Sequence, residues 1–170
     1  KFCEKISELG KYLEDEGMPL AYHHHMGTVI ETQKDTERLI ENTHESVKLT
    51  LDTGHMLFAK GDSKSILQNY HERILHVHCK DIRKQVLEKS LKEDLSFRGA
   101  FLEGAFTVPG DGCIDYQPLF NVLKNNNYSG WLVVEAEQDP AKANPLEYAK
   151  IGYNYLTDTL KKYEIEIYKN

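Results

Sequence analysis

The chain has little of several things, and each shortage excludes a class of protein. It carries 3 cysteines in 170 residues (Cys3, Cys79 and Cys113) with no CxxC pair, so neither a disulfide framework nor a cysteine zinc site is expected. Free thiols point instead to a reducing, cytoplasmic setting. No apolar run approaches the roughly 18 residues of a membrane span, and the amphipathic start KFCEKISELGKYLEDEG is not a secretory signal. Positive charge is in deficit: 21 Lys and Arg against 27 Asp and Glu give a formal net charge of −6. With no basic stripe, nucleic acid is not an expected partner. No sequence repeat, low-complexity tract or interdomain linker is present. The length suits one domain, residues 1–170, with a real core.

What the chain does have is a series of four polar clusters, each at the end of an apolar strand-like run. They are LAYHHHMGT (20–28), VKLTLDTGH (47–55), ILHVHCKD (74–81) and WLVVEAEQD (131–139). Helical segments separate them. Phe2, Ile6, Leu9 and Leu13 form one helix face, closed by Gly17 and Pro19. Lys34 to Asn42 reads as a second helix, and Asp62 is placed to cap a third. Lys84 to Asp94 reads as helical, whereas 97–114 (FRGAFLEGAFTVPGDGCI) reads as an irregular glycine-rich loop that could cover a site. Asp115 opens a further helix, and Asn144, Pro145 and Glu147 occupy N-cap, N1 and N3 of the last one. A helix followed by four strand–helix units implies a parallel sheet with right-handed crossovers.

Period two puts His23 and His25 on one face of their strand and His24 on the other. Asp52 ends the second run, and Gly54 lets the chain turn to present His55. A lone DTG triplet also suits an aspartic protease, but the histidines have no place in that chemistry. His76 and His78 share a face, followed by Lys80 and Arg83, which can polarise or anchor substrate oxygens. Glu135 and Glu137 share a face after a wholly apolar strand, where a carboxylate is costly unless paired or metal-bound. A mixed histidine and carboxylate set suits Mn²⁺, Co²⁺, Fe²⁺ or Mg²⁺. Such an ion acts as a Lewis acid on a ketone or hydroxyl oxygen, with a nearby Glu, His or Lys as base.

Taken in order, YHHHMGT, LDTGH with FAKGD, HVHCKD, VPGDGCIDY and GWLVVEAEQDP resemble the xylose isomerase-like TIM barrels. Those enzymes isomerise, epimerise or dehydrate polyols and keto-sugars. Within the family, the likeness is greatest to the inosose dehydratase group, which removes water from 2-keto-myo-inositol in inositol catabolism. The resemblance implies a divalent ion, Mn²⁺ or Co²⁺, held by Asp52, His78 and Glu135. The remaining ligand falls to His23, His25 or a water, with His23 standing where the family commonly has Glu. It also implies substrate contacts at His55, His76 and Arg83, and catalytic groups among Glu137, His55, His25 and Lys80. A whole barrel has eight units and about 250 residues, so this chain is expected to be its C-terminal half. It would then be a partial gene product lacking an N-terminal half-barrel, or a half-barrel pairing with a second copy. A sugar isomerase or epimerase of the same family, or an inactive half-barrel, are the rival expectations.

Overall fold

The computed structural model describes residues Lys1–Glu166; residues 167–170, the end of the expected 1–170 domain, lie outside it. The chain divides into two compact units, Lys1–His78 with Ser129–Leu132, and Cys79–Tyr128 with the chain from Val133 onward.

The first unit begins with α1 (Phe2–Asp15), β1 (Leu20–His23) and α2 (Gln33–Glu41). Then come β2 (Val47–Asp52), α3 (Thr53–Phe58), α4 (Ser63–Tyr70), a 3-10 turn (His71–Arg73) and β3 (Ile74–Cys79). α2 starts at a capping box in which Thr32 and Asp35 satisfy each other's backbone amides. Leu39, Ile40, Leu49, Leu51, Ile66 and Leu67 are buried between these helices and the sheet. Arg73 closes the lower end, donating to the Ile40 and Val47 carbonyls at 2.9 and 3.0 Å.

β1 pairs with β2, and β2 with β3, all parallel as expected from the strand–helix alternation. The full order is β1-β2-β3-β6, where β6 is Trp131–Val134. Pairing of β2 with β3 shifts register between Leu49 and Thr50, so that Leu49 faces Ile74 but Thr50 faces His76. This one-residue slip sets the end of β2 level with the end of β3, Asp52 opposite His78.

The second unit holds β4 (Asp81–Ile82), α5 (Lys84–Lys92), α6 (Phe97–Leu102), β5 (Phe106–Thr107), α7 (Gln117–Asn125) and α8 (Pro145–Lys162). The segment 97–114 departs from the irregular loop expected of it. Ser96 caps α6 through the Gly99 amide, and β5 pairs antiparallel with β4. Both features depend on bonds, local or distant, that no periodic pattern in the sequence announces. Asp115, expected to cap α7, stands one residue before its N-cap Tyr116, where it accepts the Gln117 amide at 3.0 Å. β6 stops at Val134, short of the Trp131 to Ala136 strand that the apolar run predicts, and Asn144 caps α8.

Among the described residues, no helix is long and apolar enough to cross a membrane.

Candidate metal and acid–base centre

Each unit gathers one group of chemistry-bearing side chains at its strand ends. In the first unit the centre is Asp52, the last residue of β2 and fully buried. Its Oδ1 accepts the His55 amide at 2.9 Å, capping the short helix α3. Its Oδ2 lies 3.2 Å from His23 Nε2 and 3.7 Å from His78 Nδ1, with His55 Nε2 at 4.0 Å. His23 sits at the end of β1 and His78 near the end of β3, each partly open to solvent. The His23 and His78 rings meet edge-on, centroids 4.7 Å apart.

His55 is fully buried on the first turn of α3, and the His25 ring lies 3.7 Å from its centroid. His25 donates from Nδ1 to the Met26 carbonyl at 2.7 Å. That bond fixes the ring's tautomer when neutral, leaving Nε2 as its acceptor. β1 ends at His23, so His25 reaches this group from the turn after the strand rather than from the strand itself.

His24 is the member of the triplet whose role the sequence did not reveal. It is fully buried, and its Nε2 accepts the Asp52 backbone N–H at 3.1 Å. Burial is the main cause that pushes its pKa down to about 3, so the ring is neutral. The alternation of faces separated His24 from its neighbours but gave no sign of what it would meet. His76 pairs in register with Thr50, one pleat repeat below His78. It is half-buried and stands outside the ligand-distance groups.

In the second unit Lys80 is fully buried, with Nζ 2.7 Å from Glu137 Oε2 and 3.5 Å from Glu135 Oε1. It also lies 5.6 Å from the Phe106 ring centroid. The buried Tyr116 hydroxyl donates to the Lys80 carbonyl at 3.0 Å, fixing the backbone from which the ammonium extends. A buried ammonium this close to two carboxylates pairs charges that would each be costly to bury alone. Arg83 has partners of its own: the Gly104 carbonyl at 2.8 Å, Thr107 Oγ1 at 3.1 Å, Asp111 Oδ2 at 2.7 Å and the Tyr148 hydroxyl at 3.3 Å. It therefore holds the segment after β5 in place.

The donor set in the first unit fits a divalent cation. His23, Asp52 and His78 each bring one ligand-capable atom within 4.8 Å of the others. Imidazole and carboxylate without thiolate suit a borderline or hard divalent ion. A buried carboxylate facing two imidazoles this closely is an arrangement that a bound cation would balance.

The sequence model of the xylose isomerase-like TIM barrel family matches residues 1–159. An inosose dehydratase of Clostridium beijerinckii is 51% identical over 157 residues, covering 92% of this chain and 53% of that protein. One of Halalkalibacterium halodurans is 48% identical over 159 residues, covering 93% and 52%. The chain thus spans about half the length of the curated relatives it matches. Among solved structures, the IOLI protein, determined with a bound zinc atom, superposes with a TM-score of 0.68. It is 21% identical, with 93% of this chain and 54% of that one covered.

Proposed function

The chain belongs to the xylose isomerase-like TIM barrel family, and from that membership we propose that it serves a metal-dependent dehydratase. The reaction is loss of water from 2-keto-myo-inositol, a hydro-lyase step. The observation that carries this reading is the convergence of His23, Asp52 and His78 at strand ends. The likeness to inosose dehydratases over nearly the whole chain supports the choice of substrate.

His23, Asp52 and His78 would hold the ion, with Glu135, the residue following β6, as the fourth protein ligand. Manganese and cobalt(II) are the ions we favour, since mixed imidazole and carboxylate donors suit them. When bound, the ion would supply Lewis acidity to the ketone oxygen and so favour loss of the neighbouring proton. Glu137 is the base that takes the α proton, its carboxylate charge held by the Lys80 ammonium at 2.7 Å. The electron pair released forms the enol double bond, and the β C–O bond breaks. A neighbouring acid, His55, His25 or Lys80, delivers the proton with which the hydroxyl departs as water. The enol then tautomerises to the dione. His55, His76 and Arg83 contact the substrate hydroxyls in this scheme.

The edge strands β1 and β6 are where further parallel strands would complete a barrel, from the rest of a longer protein or from a second copy. The free thiols Cys3, Cys79 and Cys113 suit a cytoplasmic location.

The test is incubation of the full-length protein with Co²⁺ or Mn²⁺ and 2-keto-myo-inositol, followed by NMR. Loss of one water per substrate is expected. A rearranged sugar would instead assign an isomerase or epimerase, and unchanged substrate would overturn the reading.

A further inference from the structure

His24 stands between two histidines of the candidate centre, yet the proposed chemistry does not use it. It is fully buried, its ring meets that of His23 edge-on, and its hydrogen bond to the centre is to the backbone of Asp52. The parallel pairing of β1 with β2 ends at His23 opposite Thr50. The Asp52 amide lies two residues further along β2, past the last backbone rung. In a longer strand, a carbonyl of β1 would accept it. Here the imidazole Nε2 does so at 3.1 Å, because the chain after His23 has already turned away from β2. A buried amide left without an acceptor is costly, so this bond has a definite job.

The ring is not the least costly way to fill the space. Accepting at Nε2 puts the proton on Nδ1, and that nitrogen is buried with no hydrogen-bond partner among the described residues. An apolar side chain of similar size would avoid the penalty but would offer no acceptor. The acceptor is therefore what the histidine contributes. The contacts of Asp52 include its amide on His24, its Oδ1 on the His55 amide, and its Oδ2 beside His23 and His78. Without the first, the strand end can rotate to find another acceptor, and the carboxylate rotates with it.

We propose that His24 is a positioning residue for Asp52, acting as the last rung between β1 and β2 and not as a ligand or proton carrier. Its bearing on function rests on the metal reading above, whereas the hydrogen bond does not.

The test compares His24→Met with His24→Gln in the whole chain. The two side chains are similar in length and flexibility, and only glutamine offers a strong acceptor near the position of Nε2. Two quantities are read: hydrogen exchange of the Asp52 amide relative to Leu51, and Co²⁺ affinity by calorimetry. In the methionine variant, exchange at Asp52 should rise at least about tenfold, as expected for loss of one buried hydrogen bond. Co²⁺ affinity should fall by about 10- to 100-fold, the range for loss of a group that orients a ligand. Glutamine should restore most of both. Unchanged exchange at Asp52 in the methionine variant would overturn the proposal. So would lost exchange protection with unchanged Co²⁺ affinity. Should wild type bind no Co²⁺, the metal reading falls and exchange alone decides on the rung. Should the methionine variant not fold, the glutamine variant decides: protected at Asp52 supports the rung, unprotected overturns it.

Discussion

Asp52 divides its two oxygens between structure and chemistry, and the division can be separated by substitution. Oδ1 caps α3 while Oδ2 faces His23 and His78. Asp52→Asn keeps an acceptor for the cap, at which asparagine serves as well as aspartate, but removes the charge a cation requires. Its ion-free thermal midpoint should stay within a few degrees of wild type while Co²⁺ binding in calorimetry is lost. Asp52→Ala should lose the cap as well, costing about a further 1 kcal/mol in urea unfolding. Equal stabilities for the two variants would show that the cap does not hold the turn. Lys80 poses the opposite case, a buried cation whose partners are acidic. Lys80→Met leaves Glu137 and Glu135 near one another without the ammonium that lies 2.7 and 3.5 Å from them. Breaking a buried pair in this way costs about 3 kcal/mol. Adding Glu137→Gln should return part of the loss, which a double-mutant cycle in urea would measure.

At the scale of elements, the segment after β5 is fastened by the Asp81 carboxylate as well as by Arg83. Asp81 Oδ1 accepts the amides of Ile82, Cys113 and Ile114 at 2.7, 2.9 and 2.9 Å. Gly112 allows this approach, since a Cβ there would overlap the Asp81 carboxyl group. Burial raises the Asp81 pKa above its ordinary 3.8, and the amide bonds offset only part of that. The folded chain therefore binds this proton more tightly than the unfolded chain does. Stability from this group is complete below pH 3.8 and is lost as pH rises through the higher folded value. Asp81→Asn does not titrate, so its stability relative to wild type should climb with pH above about 4, read as the difference in urea midpoint across a pH series. A constant difference would mean that Asp81 titrates alike in both states. Such latches are hard to see in a sequence. β1, β2, β3 and β6 were legible because alternating or unbroken apolar runs mark strands, and α8 because Asn144, Pro145 and Glu147 spell its start. α3 was not, since six residues carry no face and the helix depends on the Asp52 cap. β4 and β5 are two residues each, so only their long-range bonds define them. The same limit applies to the centre. Asp52 and His78 were legible as strand-end residues, but the register slip that sets them level, and the amide that meets His24, are properties of the paired sheet.

For the whole molecule, an ion that binds only the folded chain must raise its stability by mass action. At a free concentration one hundred times Kd the gain is about 2.7 kcal/mol. For a protein of this size that gain corresponds to about 5–10 °C in thermal midpoint. Co²⁺ or Mn²⁺ should produce such a shift, and a chelator should reverse it. The pattern across variants then tests the ligand set. Asp52→Asn should abolish the increment, because the carboxylate is the only charged donor among His23, Asp52 and His78. His23→Ala and His78→Ala should each reduce it sharply, since each removes one of the three atoms that approach within 4.8 Å. His76→Ala, one repeat away along β3, should leave it intact. Glu135→Gln is the discriminating case for the fourth ligand. A lost or halved increment would assign Glu135 to the ion, while an unchanged one would leave the protein contributing two imidazoles and one carboxylate, with water completing the site. An increment equal in all variants would mean that the cation binds elsewhere, and the strand-end centre would then need another explanation.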